Sequence, residues 1–197
     1  MLTPCAQRSQ VDQIAPDNWQ QAYKLAQAIA HPWYRCQSLT TVSEYVLAPK
    51  HKKFNTNRQQ ILRQAVQAAF ECHDENRRVV VAMWPMAALI RNNFRDMAMA
   101  LIHRCIAELR QDPHPISRWY AAVSMVYCIK QSGYLLQPFI PAFIELTQQG
   151  HGWKMERDLH WMIADSGIQA QSELYDYCVA RLQKIQDWKA ANHPLKP

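Results

Sequence analysis

Residues 114–129 read HPISRWYAAVSMVYCI, and three other stretches follow the same plan: HPWYRCQSLTTVSEYV at 31–46, ENRRVVVAMWPMAALI at 75–90 and KMERDLHWMIADSGI at 154–168. Each sets an arginine near the start of a helical pattern, at Arg35, Arg78, Arg118 and Arg157. Four residues on comes Leu39, Ala82, Ala122 or Trp161, and seven beyond that Val46, Leu89, Ile129 or Ile168. Seven residues are two turns of an α-helix, so the two positions share a face. The arginines are separated by 43, 40 and 39 residues, a period expected of stacked helical hairpins.

Before each arginine helix lies a second amphipathic stretch. The first carries Ala22, Leu25, Ala26 and Ile29, the second Ile61, Leu62, Ala65, Val66 and Ala69, and the third Ala98, Leu101, Ile102, Cys105, Ile106 and Leu109. Their i, i+3, i+4 spacing gives one apolar stripe per helix. The fourth, around Ile140, Ala142, Phe143 and Leu146, is expected to begin after Pro138, with Pro141 near its start, because a proline is better tolerated in a first turn than inside a helix. A fifth helix from about Ala170 to Trp188 covers the open end. The connections His31-Pro32, Asp74-Glu75-Asn76, Asp112-Pro113-His114-Pro115 and Gly150-His151-Gly152 are short, and their proline, glycine and capping residues end one helix and admit the next. Pro85, inside the second arginine helix, should kink it, either adjusting curvature or opening a groove beside Trp84.

Composition bounds the rest. With 197 residues, 49% hydrophobic and 19% charged, the chain has the make-up of one folded domain. We expect a tail at 1–17, a single helical domain at 18–188 and a second tail at 189–197. Only 4 glycines occur, and neither GxGxxG nor GxxxxGK[ST] is present, which excludes Rossmann and P-loop nucleotide sites. The segment MLTPCAQRSQ lacks the apolar stretch of a signal peptide and no apolar run is long enough to span a bilayer, so the chain reads as cytoplasmic. Cys36, Cys72, Cys105, Cys128 and Cys178 sit in helical patterns and read as buried free thiols, with Cys5 in the tail.

The net charge of +6 is local. Residues 48–110 hold eleven basic side chains against five acidic, whereas the segments on either side are balanced. Lys50, Lys52 and Lys53 cluster in a loop; Arg58, Arg63, Arg91, Arg95 and Arg104 follow on helices. Such a segment attracts an anionic partner, although many of these side chains could simply solvate helix faces. Seven Trp and eight Tyr add a second candidate surface, with Trp33, Trp84 and Trp119 as binding anchors, unless those rings fill the wedges between hairpins.

No chemistry is signalled. The sequence has no CxxC, HExxH or GxSxG, and the adjacent letters of Cys72-His73-Asp74 point in different directions on a helix end. No cofactor, metal ligand or catalytic residue is named, and the chain leans towards a non-enzymatic protein.

On the four arginine segments and the hairpins before them, the chain resembles the HEAT-like α-solenoid superfamily over roughly residues 18–187. Asp112 stands six residues before Arg118, the spacing of HEAT units, and the other three arginines lack that aspartate. Tetratricopeptide-like packing is the alternative. The resemblance implies an all-α, right-handed α-solenoid of about four hairpins plus a C-terminal capping helix. It further implies an interaction protein (adaptor, inhibitor or immunity-like factor) whose concave or basic central surface meets an acidic patch on a partner protein. The alternative partner is nucleic acid, in the manner of the HEAT-like alkylpurine DNA glycosylases.

Overall fold

The computed structural model describes residues 2–46, 56–150 and 152–192; Lys50, Lys52 and Lys53 lie outside the described residues. Among these the chain is all-α: α1 (Pro4–Ile14), α2 (Trp19–Gln27), α3 (Pro32–Tyr45), α4 (Thr56–Phe70), α5 (Glu75–Arg91), α6 (Arg95–Gln111), α7 (Pro115–Ile129), α8 (Gly133–Thr147), α9 (Trp153–Ala164), α10 (Ser166–Gln169) and α11 (Ser172–Asn192). Two compact units divide it, Met1–Glu108 and Leu109–Pro197, with the boundary inside α6.

In the first unit, α3 packs on α1, α2, α4 and α5, and α4 packs on α5. The seams are lined by small residues, Ala22, Ala26, Ala65, Ala68, Ala69 and Ala82, all buried beside Leu39, Val42, Ile61, Leu62 and Met86. Alanine at a helix seam favours the helix and lets the neighbouring backbone approach. In the second unit α7 packs on α8 and α9, and α11 on α8 and α9. Its core is aromatic: Trp119, Phe139 and Phe143 are fully buried, with Phe143 set 6.0 Å from Trp119 and 6.0 Å from Tyr177, ring centre to ring centre.

The aligned arginines make one pattern of bonds at three of their four positions. Arg35 donates to the carbonyls of Ile29 (2.9 Å) and Ala30 (3.2 Å) in the α2–α3 turn and pairs with Glu71 after α4. Arg78 donates to Cys72 (2.8 Å) and His73 (3.1 Å) in the α4–α5 turn and pairs with Glu108 of α6 at 2.8 Å. Arg118 donates to Asp112 (2.9 Å) in the α6–α7 turn and to the Gln149 side chain at 3.3 Å. The planar fork of arginine suits this double task, one edge on carbonyls left without helical partners and the other on the next hairpin. Only the third rung ends on an amide, and Arg118 Nε is buried without a hydrogen-bond partner among the described residues. Replacing Gln149 by glutamate should therefore raise the unfolding free energy by up to about 1 kcal/mol. The denaturant midpoint is the readout, with Gln149→Leu as the lowering control.

Arg157 leaves the pattern. It turns to Asp158, donating at 2.8 and 3.1 Å to one carboxylate oxygen. The α8 end is closed instead by Arg181 of α11, which donates to the carbonyls of Thr147 (3.3 Å) and Gly150. Trp161, aligned with the buried Leu39, Ala82 and Ala122, is 56% exposed, so the fourth segment does not keep the shared face at that position. Val46, Leu89, Ile129 and Ile168 are all buried.

Three boundaries differ from expectation. Residues 4–14, expected within a tail, form α1, with Val11 and Ala15 buried; Thr3 caps it, accepting from Ala6 N, and Pro4 follows as the first helical residue, an arrangement that starts helices. Helix α8 begins at Gly133 and carries Pro138 and Pro141 in its interior. Both prolines are exposed, so the two backbone carbonyls that lose their amide partners lie on the side facing water. Helix α11 runs four residues past Trp188 to Asn192.

Candidate partner-binding surfaces

Three of the expected arginines come together. Arg63 of α4 and Arg104 of α6 border a cavity of about 270 Å³ whose walls are Val66, Leu89, Met97, Ala100 and Leu101. It adjoins a second of about 450 Å³, which shares Arg63 and Met97 and adds Gln59, Asn93, Phe94, Arg95 and Asp96. The result is a groove between α4 and α6 whose first cavity has an apolar floor between Arg63 and Arg104 and whose second is largely polar, with Phe94 and Met97 as its apolar side chains. The turn that leads into α6 shapes its end: Asn93 takes a left-handed backbone at φ 56°, a conformation that asparagine tolerates, and Phe94 N donates to Leu89 O at 2.9 Å. The Arg104 guanidinium lies 3.6 Å from the centre of the Phe70 ring, a cation–π contact that fixes its position.

The other expected basic residues have different work. Arg58 is not a free surface cation: it donates to the carbonyls of Ser43 (2.8 Å), Val46 (2.7 Å) and Glu44 (3.4 Å) and to the Asn92 side chain. It thus caps the C-terminus of α3, where unpaired carbonyls and the helix dipole favour a cation. Arg91 pairs with Glu44 at 2.6 Å and lines a shallow groove of about 350 Å³ between α3 and α5, beside Trp84, Met83, Ala87 and Thr40.

Among the expected aromatics, Trp84 is 43% exposed, with the Arg8 guanidinium 5.6 Å from its ring centre, and Trp33 is half-buried. Trp119 is a correction. At 1% exposure it is a core residue, its indole donating to Asp158 at 3.1 Å, and its neighbour Tyr120 holds the solvent side at 58%. Adjacent residues on a helix point about 100° apart, so α7 can bury Trp119 and still present Tyr120 to solvent.

Trp153 stands out in the sequence as an aromatic residue at the start of an arginine helix, but not as one end of a stripe along α9. Trp153, Arg157 and Trp161 stand at i, i+4 and i+8, with the Arg157 guanidinium 5.4 Å from one ring centre and 4.5 Å from the other. The tryptophans are 63% and 56% exposed. Their spacing was readable as one face; which face was not. Across α2 to α9, every exposed large hydrophobic side chain among the described residues lies on an arginine helix: Tyr45 on α3, Trp84 on α5, Ile116 and Tyr120 on α7, Trp153 and Trp161 on α9.

Among the described residues no group of three or more His, Cys, Asp or Glu is placed to hold a metal ion, and no helix is long and apolar enough to cross a membrane. Cys36, Cys72, Cys105 and Cys178 are buried, Cys128 is half-buried and Cys5 is exposed. Desolvation pushes the thiols of Cys36 and Cys72 upward and that of Cys178 up to about 12, so their nucleophilic thiolates are scarce near neutral pH. Titration of the native protein with an aromatic disulfide should show Cys5 reacting first and Cys128 more slowly; the four buried thiols should react only after denaturant is added. Comparison with known families, with curated proteins and with solved structures finds no match to this chain.

Proposed function

We propose that the chain is a cytoplasmic, non-enzymatic interaction protein, a HEAT-like α-solenoid of four hairpins closed by α11, which holds a partner protein on its arginine helices. The supporting observation is that, across α2 to α9, the exposed aromatic side chains among the described residues lie on α3, α5, α7 and α9, with none on α2, α4, α6 or α8; Trp188 of α11 is a further exposed ring at 36%. Tryptophan and tyrosine supply large contact area at low conformational cost and dominate binding energies at interfaces. The arginine rungs support the hairpin reading, because the same turn carbonyls are held in the same way at Arg35, Arg78 and Arg118.

The test compares the full chain with a Trp84→Ala/Tyr120→Ala/Trp153→Ala/Trp161→Ala variant in affinity capture from native lysate. A stoichiometric protein retained by the parent and lost by the variant is expected, at about 2 kcal/mol or roughly 30-fold per anchor residue. Equal capture by both, or none by the parent, overturns the proposal. The four side chains are exposed, so the variant should unfold at the same denaturant concentration as the parent.

A further inference from the structure

We propose that the groove between α4 and α6 seats an acidic amphipathic helix from a partner protein, apolar side chains on the floor and carboxylates on Arg63 and Arg104. This site lies within the first unit and uses none of the exposed aromatic side chains. The argument begins with charge. In the first unit the guanidiniums of Arg8, Arg35, Arg77, Arg78 and Arg91 each stand opposite a carboxylate, on Asp12, Glu71, Asp74, Glu108 and Glu44 respectively. Arg58 is taken up by the end of α3. Arg63 and Arg104 have no carboxylate within ion-pair distance among the described residues, and both border the same cavity. The groove therefore carries positive charge that its own fold does not compensate, and a partner carboxylate gains most where no internal one competes.

The floor decides the class of anion. Between the two arginines lie Val66, Met97 and the buried Leu89 and Leu101, a surface that a sugar–phosphate backbone would leave wet but that an aliphatic or aromatic side chain covers. Met97 is shared by both cavities, and its flexible thioether adapts to the side chain it meets. Arg95 and Arg104 are nine residues apart on α6, about 13 to 14 Å along the helix axis. That length suits a helix of two to three turns laid in the groove with its apolar anchors at i, i+3/i+4 and i+7. Asp96 lines the far cavity, so the acidic flank of the ligand is expected to concentrate toward Arg63 and Arg104. Arg104 is held against Phe70 before binding, which lowers the ordering cost.

Fluorescence anisotropy of the full chain with a labelled peptide of about 16 residues, leucines at helical spacing and glutamates on both flanks, tests this directly. The expected result is saturable binding that weakens at least roughly tenfold when the glutamates become glutamines. A similar loss is expected for the Arg63→Glu/Arg104→Glu variant, and a smaller one for Arg63→Gln/Arg104→Gln. Trp84→Ala/Tyr120→Ala should leave the affinity for this peptide unchanged, which distinguishes this site from binding through the exposed aromatic side chains. Absence of binding, equal affinity for the glutamine peptide, or indifference to charge reversal overturns the proposal. So does displacement of the peptide by a single-stranded oligothymidylate that binds more tightly, which would assign the groove to nucleic acid.

Discussion

Trp119→Ala should cost about 3 to 5 kcal/mol of unfolding free energy, the largest effect expected of any single substitution in the second unit. The indole is 1% exposed and lies against Phe143. Its removal leaves a cavity in a core whose neighbouring rings cannot all shift to fill it. A second loss adds to the first. Trp119 Nε1 is a hydrogen-bond donor to Asp158, whose side chain is only 7% exposed. Without the indole that carboxylate keeps Arg157 alone, and a buried charged acceptor that loses a donor costs more than the bond itself contributed. Trp119→Phe separates the two parts, since it keeps most of the volume and deletes the N–H. It should recover more than half of the loss, and pairing it with Asp158→Asn should be less than additive. Urea melts followed by far-UV circular dichroism read each term; a Trp119→Ala midpoint close to that of the parent would mean that the indole is not in the core.

The second large effect is expected at Arg58. Alanine there removes the donor for three carbonyls at the end of α3 and for Asn92 after α5, a loss of about 2 to 4 kcal/mol by the usual worth of charge-assisted bonds after solvent competition. Lysine keeps the charge but not the fork, so it should restore less than half. Hydrogen exchange locates the damage: protection should fall in the last turn of α3 and in the turn after α5, with α1 and α2 little changed. Similar melts for Arg58→Ala and for Arg63→Ala, an exposed residue of the same helix with no ion pair among the described residues, would show that the cap carries no particular weight.

The contrast between these two positions shows what the sequence could and could not reveal. The helices and their turns were legible, because periodic apolar residues and proline or glycine punctuation are local signals. The four aligned arginines were legible as a pattern, but not their purpose, which depends on carbonyls six residues behind and on side chains 30 to 36 residues ahead. Arg58 and Arg63 look alike in sequence, five residues apart on one helix, and only the neighbouring end of α3 makes one of them a cap. Trp119 and Tyr120 are equally ambiguous, since a helical pattern that is apolar nearly all round does not announce which side faces the core. Helix α1 escaped notice because Pro4–Ile14 carries too few apolar residues for a clear stripe, although Thr3-Pro4 is a legitimate start signal. Prolines 138 and 141 misled for the opposite reason, a sound local rule set aside by burial of Leu135, Leu136 and Phe139.

The arginine rungs also bear on how the chain emerges during synthesis. Each arginine's inner bonds close on a turn six residues behind it, within a segment already made. Its outer partner, Glu71 for Arg35, Glu108 for Arg78 and Gln149 for Arg118, follows 36, 30 and 31 residues later. At ribosomal speeds that is an interval of about 1.5 to 7 s, long compared with the microseconds in which a helix forms. A nascent hairpin can thus be complete in itself while one edge of its arginine waits for the next hairpin to arrive. Assembly acquires a direction from the amino end to the carboxyl end, and at every pause the growing edge displays an unsatisfied cation rather than only bare apolar surface, which favours solubility over premature association.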